Sequence, residues 1–459
     1  MRERWTSRGG GSCRAGRVAA LVTLIAVALP ASSLANGRFP AANQLVFDPT
    51  DDRRLVLRTT FGIVQSFDAG KSWTWVCEQA AGYAGVFDPA IAVTSDGRLL
   101  AGVFDGVTRG DERGCTWSRS GTPLEGEYVI DLAVDPVRPA RAVALTSTGL
   151  GGGVFRVIVA ETTDGAKTWT ALGSPLPTDF NSETIELSRS DPDRIYVSGS
   201  FGTPAKGVVH RSIDHGKTWT RHEVPASSIL YVAAVDPTDA DRVYTRSRSV
   251  TGDRLLVSTD GAATFRDLYT AKGALLGFAL SPGGTTVALG GPEDGVLTAP
   301  RGDTVFTKVH DAAVRCLAWR EDGLHACAVD GIASLGAPTG FTLGRSSDEG
   351  RSFVPLFHLK QLEMLVCDAK ATAAVCATYW PETQDSLGLP RDAGPDAIED
   401  ASPRPSEPGV VAGGRGCGCS VPGGRSPELP IGVLAIVLAL RRASRCSIRW
   451  PAPRSGSNR

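Results

Sequence analysis

A short acidic turn recurs along this chain and constrains its fold more than any other feature. Three segments share one pattern: Ser66-Phe67-Asp68-Ala69-Gly70-Lys71-Ser72-Trp73, Ser212-Ile213-Asp214-His215-Gly216-Lys217-Thr218-Trp219 and Ser346-Ser347-Asp348-Glu349-Gly350-Arg351-Ser352-Phe353. Two more place the Gly next to the Asp: Thr162-Thr163-Asp164-Gly165-Ala166-Lys167-Thr168-Trp169 and Ser258-Thr259-Asp260-Gly261-Ala262-Ala263-Thr264-Phe265. A sixth is degraded, with Glu112 read in the Asp position ahead of Gly114 and Trp117. A seventh, near Asp303-Thr304-Val305-Phe306, keeps little beyond the aromatic. The closing aromatics are Trp73, Trp117, Trp169, Trp219, Phe265, Phe306 and Phe353, at gaps of 44, 52, 50, 46, 41 and 47 residues. That period suits a four-stranded propeller blade.

A second register supports the same count. Each repeat has a turn upstream of its aromatic: Asp48-Pro49, Ser95-Asp96-Gly97, Asp135-Pro136, Asp191-Pro192, Asp236-Pro237, Ser281-Pro282-Gly283 and Glu321-Asp322-Gly323. Such segments punctuate hairpins. Apolar runs flank them, as in Ile195-Tyr196-Val197 and Leu99-Leu100-Ala101. The expected fold is therefore all-β, a seven-bladed β-propeller of four-stranded antiparallel blades. Local chemistry explains the acidic turn. The Asp carboxylate accepts hydrogen bonds from amides of its own turn. Gly permits the positive φ of a tight hairpin. The aromatic opens the next strand and packs between blades.

These segments resemble Asp-box motifs, or bacterial neuraminidase repeats, of the form S/T-x-D-x-G-x-T/S-W/F. The family includes sialidases, xyloglucan-cleaving glucanases, sortilin-like receptors and photosystem assembly factors. The resemblance spans about 320 residues through seven motifs, three of them full matches. It implies that the box lies on the turn between a blade's third and fourth strands and is structural. Asp68, Asp164, Asp214, Asp260 and Asp348 are accordingly read as fold residues. A ligand is expected on the opposite face.

The termini point to export. Arg2, Arg4, Arg8, Arg14 and Arg17 precede an apolar run from Val18 to Leu29, then Ala31-Ser32-Ser33-Leu34-Ala35. This is the layout of a secretory signal cleaved after Ala35. Cysteine usage agrees with an oxidising compartment. Cys316 and Cys327 flank the Glu321-Asp322-Gly323 turn symmetrically, which sets them opposite each other in a hairpin. Cys367 and Cys376 have similar spacing and are expected to pair across a hairpin cap over 362–379. Cys77 and Cys115 then pair by elimination.

The expected organisation is a signal over 1–35, a propeller with its cap over 36–387 and a Pro/Ala/Gly linker over 388–415. A sorting segment over 416–442 and a basic tail over 443–459 follow. The sorting segment holds Cys417 and Cys419, an apolar run from Leu429 to Leu440, and Arg441-Arg442. It resembles the myxobacterial C-terminal sorting domain, MYXO-CTERM. That resemblance implies export and sorting machinery as partners, a membrane contact through this short segment alone, and display at the outer surface. The tail beyond the basic cluster departs from that family's pattern.

The chemistry of the body is plainer. Net charge is -1 over 459 residues, so no basic balance points to nucleic acid. His210, His215, His222, His310, His325 and His358 are dispersed, and no metal, nucleophile or cofactor motif emerges. No catalytic residue is assigned. Gly37-Arg38-Phe39-Pro40 does not match the F/Y-R-I-P motif of sialidases. Three readings result: a non-enzymatic binding or scaffold propeller with a polysaccharide or protein ligand, a glycoside hydrolase using paired carboxylates, and an assembly or stability factor resembling the photosystem type. Carboxylates expected on ligand-face loops are Glu78, Asp105, Glu183, Glu293, Asp294 and Asp330. Tyr83, Phe104 and Phe201 are the aromatics expected beside them.

Overall fold

A computed structural model describes residues 39–85, 87–225, 227–330 and 340–391. The expected export signal, most of the expected linker, Cys417, Cys419, the apolar run and the basic tail lie outside the described residues. Seven four-stranded antiparallel sheets follow in chain order, over 42–76, 91–119, 129–171, 180–224, 230–270, 277–310 and 314–357. Each is a meander whose first strand touches the first strand of the next blade. The first strand of blade 7 touches that of blade 1, so the sheets circle a channel. The protein is a seven-bladed β-propeller.

Burial follows from this layout. The second strands of blades 2 and 3, Leu99–Val103 and Ala142–Thr146, are buried along their whole length. Neighbouring blades cover both faces of such strands, so they read as near-continuous apolar runs. The first strand of blade 1, Ala42–Phe47, buries only Ala42 and Leu45, because its other residues border the channel or its ends.

The acidic turns share one geometry. In the boxes of Asp68, Asp164, Asp214, Asp260 and Asp348 a Ser or Thr two residues before the Asp donates to Oδ1 at 2.7–2.8 Å. The amide four residues after the Asp donates to the same oxygen at 2.8–3.0 Å, and that residue's hydroxyl donates to Oδ2 at 2.6–2.7 Å. Two consecutive residues then carry positive φ: Ala69-Gly70, Gly165-Ala166, His215-Gly216, Gly261-Ala262 and Glu349-Gly350. Both positions are left-handed, so a Gly at either relieves strain at one of them. This explains why the Gly can move along the motif.

Blade 2 corrects the reading of its degraded turn. Asp111, not Glu112, is the acid: it accepts from the amides of Cys115 and Thr116 and from Thr116 Oγ1 at 2.7–3.0 Å. The turn is one residue longer than the others, and counting back from Trp117 therefore lands on the wrong carboxylate.

None of the seven aromatics is exposed. Trp73 is fully buried, and its indole donates to Gly70 O at 3.0 Å and to Leu356 O of blade 7 at 3.1 Å. Trp169 packs with Leu100 and Val107 of blade 2, and Phe353 packs against the blade 6–blade 7 core. The upstream Asp-Pro turns do more than punctuate hairpins. Asp48, Asp135 and Asp236 are buried. Asp48 holds Arg54 at 3.0 Å, and Arg54 in turn donates to Gly97 O of blade 2 at 2.6 Å. Arg141 similarly joins Asp135 to Pro192 O of blade 4.

The C-terminal segment departs from expectation. Cys316 and Cys327 are directly opposed cross-strand partners and are bonded. The other bonds are Cys77–Cys376 and Cys115–Cys367, in place of Cys77–Cys115 and Cys367–Cys376. There is no hairpin over 362–379. Leu362–Met364 adds a parallel fifth strand to the outer edge of blade 1, and the helix Cys376–Leu387 follows. The Ala-rich stretch between the two cysteines favours helix over strand, and Thr372–Val375 forms a 3-10 turn. Trp380 of that helix packs on Trp75, with ring centroids 5.6 Å apart. The strap is thus bonded to the outer edges of blades 1 and 2.

Candidate functional site

In a meander, the turns between strands 1 and 2 and between strands 3 and 4 fall on one face of the ring. The turns between strands 2 and 3 and the connectors between blades fall on the other. The acidic turns therefore line the first face, here called the turn face. The loop face carries the variable segments.

An aromatic shelf lies on the loop face of blades 2 and 3. Phe104 sits in the turn between strands 2 and 3 of blade 2 and is 60% exposed. Its ring stacks on Tyr128 at 4.7 Å and meets Phe87 at 4.5 Å. Tyr128 is held by its backbone: its amide donates to Thr148 Oγ1 at 2.9 Å, and its carbonyl accepts from Ser147 N at 2.9 Å. Thr148 opens a short hairpin, Thr148–Gly151 with Val154–Arg156, inserted in blade 3. Buried Glu127 fixes that hairpin through Thr148 Oγ1 and Arg156, both at 2.6 Å.

The charge of Glu183 links Tyr128 of the shelf to Tyr231 of the channel mouth. Glu183, on the first strand of blade 4 (Phe180–Leu187), has its carboxyl pushed up to about 7 by burial, against the lowering charges of Arg246 and Arg248. Burial also raises the phenols of Tyr128 and Tyr231, with a further push from the nearby Glu183 charge. The Arg246 guanidinium lies 4.2 Å from the Tyr231 ring centroid and donates to Leu275 O at 2.5 Å. A cavity of about 280 Å³ opens here, lined by Asn43, Gln44, Thr184, Tyr231, Arg246 and Phe278 among others. Two further acids stand on the inner strands of blades 3 and 4. Asp131 accepts from the amides of Ile185 and Leu132, both at 2.9 Å. Burial pushes Asp131 up to about 7, and burial with the charge of Asp131 pushes Glu186 up to about 8. Both side chains are half-buried by surface exposure; the inner strands nevertheless screen them from bulk water.

The structure disperses most of the carboxylates that the sequence singled out. Glu78 is buried at the start of the helix Glu78–Ala81, between blades 1 and 2. Asp105 pairs with exposed Arg119 in blade 2. Glu293 is exposed, and buried Asp294 accepts from Tyr269 Oη at 2.7 Å; both belong to blade 6. Asp330 holds Thr342 Oγ1 and His358 Nδ1 in blade 7. Glu183 alone joins the site, from an inner strand rather than a loop. Among the aromatics, Phe104 is on the shelf, Tyr83 is buried, and Phe201 is roofed by Arg221 at 3.9 Å. His215 is half-buried and bridges Asp193 and Glu161 on the turn face. Among the described residues no cluster of His, Cys, Asp and Glu could hold a metal ion. Tyr128, Tyr231, Arg246 and Arg248 carry no local motif, and sequence reasoning passed over them.

No protein-family description matches the sequence, and no curated protein sequence does. Solved structures do. An ancestral GH74 enzyme aligns with TM-score 0.51 and 13% identity, over 70% of this chain and 49% of its own. The chain thus spans about half the length of that enzyme. Hydrazine synthase from Kuenenia stuttgartiensis aligns with TM-score 0.50 and 12% identity, over 70% of this chain and 99% of its own. At such identities the likeness is one of fold alone.

Proposed function

We propose that the protein is an exported, surface-displayed propeller that binds polysaccharide on its loop face. One observation carries the reading: the exposed ring of Phe104 packs on Tyr128 and Phe87 on the same face as a channel mouth lined by polar groups. A ring exposed in this way, backed by two half-buried rings, costs hydration and marks an interaction surface. Flat rings complement the C–H faces of sugars, and the carboxyl group of Glu183 suits their hydroxyls. Export is supported by the three disulfides, which persist in oxidising compartments. Cleavage after Ala35 and surface sorting through Cys417 and Cys419 belong to the same proposal.

A second reading is favoured by one feature. A carboxyl held near pH 7 in a cleft is suited to general-acid catalysis, and Glu183 would be that acid in a glycoside hydrolase. Such an enzyme needs a second carboxylate within roughly 5–10 Å of the first.

A glycan-array screen of the purified protein, run beside a reducing-sugar assay, tests both. Binding that is lost in Phe104→Ala, with no sugar release, is the expected result. Sugar release abolished by Glu183→Gln would replace binding with hydrolysis, and the absence of any glycan ligand would overturn both readings.

A further inference from the structure

Three hollows adjoin on the loop face of blade 5. The channel-mouth cavity shares Arg246 and Leu276 with a second of about 450 Å³. The second shares Arg248, Ser249 and Val250 with a third of about 750 Å³, which ends at Ser227, Ser228 and Arg254. Together they make a row of adjoining hollows, here called the groove, from the channel outward. Its walls are the connector into blade 5, the 247–254 turn and the connector into blade 6.

Those walls are fixed. Buried Asp253 accepts from Ser249 N and Leu275 N, both at 3.1 Å, while its own amide and carbonyl bond Gly273 O and Ala271 N. Gly252 has φ of +119°, and a Cβ there would lie 2.1 Å from Ala271 O. The two loops are thus pressed together with no room for a side chain, and the groove is preformed.

The groove is also cationic. Arg246, Arg248, Lys272 and Arg254 line it, and Arg248 and Lys272 are exposed. Among the described residues no carboxylate lies within 4 Å of either exposed cation. Arg254 is matched by Asp267 at 3.1 Å, and Arg246 by Asp253 at 3.9 Å. Elsewhere on this protein many arginines are paired in this way, Arg53, Arg119, Arg221 and Arg320 among them. Acids stand nearby, with Glu293 against Gly273, Asp294 on the Lys272 amide and Glu183 within reach of the Arg248 charge, yet none forms a salt bridge with either exposed cation. A rigid trough with two such cations and serine hydroxyls suits an extended anionic chain.

We infer that this groove takes the acidic units of a polyanionic polysaccharide, of the uronate-bearing class, with Arg248 and Lys272 meeting successive carboxylates. The inference rests on the glycan-binding reading and specifies its ligand. An acidic polypeptide would offer similar charge, and the test separates it from a polysaccharide.

The test measures binding of the full chain to polygalacturonate, to neutral dextran and xyloglucan, and to polyglutamate, in low and moderate salt. Polygalacturonate should bind best, and its affinity should fall as salt rises. The Arg248→Ala/Lys272→Ala double variant, with unchanged melting temperature, should weaken it about tenfold or more. Phe104→Ala should weaken it as well. If the neutral polymers bind equally and ignore the double variant, the groove inference fails and glycan binding stands. If polyglutamate binds as tightly as polygalacturonate, the sugar class is wrong. If no glycan binds, both the inference and its premise fall.

Discussion

On the turn face, the carboxylate of Asp164 receives Thr162 Oγ1, the amides of Lys167 and Thr168, and Thr168 Oγ1. On the loop face, Arg248 and Lys272 line an open groove and meet no carboxylate within 4 Å among the described residues. The same contrast holds for rings. Trp73 is buried with its indole doubly bonded, whereas Phe104 is 60% exposed. The turn face repeats because each blade must solve the same local problem of closing a hairpin and sealing a seam. The loop face does not repeat, and Arg248 and Lys272 stand exposed on it with no salt bridge among the described residues. Repetition in this molecule therefore marks what holds the fold, and departure from repetition marks where a partner would act.

Trp73 offers the largest test of that division. It fills the seam between blades 7 and 1, where the ring closes, and lies 4.7 Å from the Phe357 ring. Trp73→Ala should cost about 3–5 kcal/mol in denaturant unfolding, while molecules that remain folded keep their loop-face ligand affinity. Loss of affinity in still-folded protein would show that the two faces are coupled, and the division would then be wrong. A smaller effect separates the strong turns from the weak one. Asp68→Ala removes a four-donor acceptor and should cost about 1–2 kcal/mol. Asp303→Ala, in the blade 6 turn where the acid pattern has decayed, should cost less than about 0.5 kcal/mol. Equal losses at the two positions would mean that the hydrogen-bonded carboxylate is not what stabilises these turns.

The same division explains what the sequence disclosed. The box is legible because its acid, its left-handed residues and its aromatic all lie within eight consecutive positions. Its spacing therefore gave the blade count. Cys316–Cys327 was legible for a similar reason, since the two residues face each other across one hairpin. Cys77–Cys376 was not: 299 residues separate the partners. They meet only because the ring returns the C-terminal strap to blade 1. Local spacing favoured Cys367 with Cys376, but the closed ring sets a different distance. The candidate site is harder still. Glu183 reads from the sequence as a loop carboxylate but stands on an inner strand, and its neighbours Tyr128, Tyr231 and Arg246 come from different blades. Only the circular arrangement of the inner strands brings them to one mouth.

Titration gives the subtlest contrast, because the two regions shift their carboxylates in opposite directions. Hydrogen bonds, led by those from Thr218 and Thr264, hold Asp214 and Asp260 down at about 2. A carboxylate whose folded pKa is depressed contributes stability above its unfolded value near 3.8, and that contribution is lost as pH falls toward 2. Burial holds Glu183 up at about 7, among Arg246, Arg248, Tyr128 and Tyr231. There the folded state keeps a proton that the unfolded chain releases near 4.5, so stability declines as pH rises from about 4.5 to about 7. Glu183→Gln should therefore match the wild type at about pH 4.5 and melt roughly 1–2 °C higher at about pH 8. Asp214→Asn should do the reverse, melting lower at neutral pH and converging with the wild type near pH 2. Thermal melts of the two variants across this range decide the matter. If Glu183→Gln lowered the melting temperature at pH 8, the ionised carboxylate would be stabilising, held by Arg246 and Arg248 as an ion pair. The channel mouth would then belong with the turn face, as a region whose charges are already satisfied.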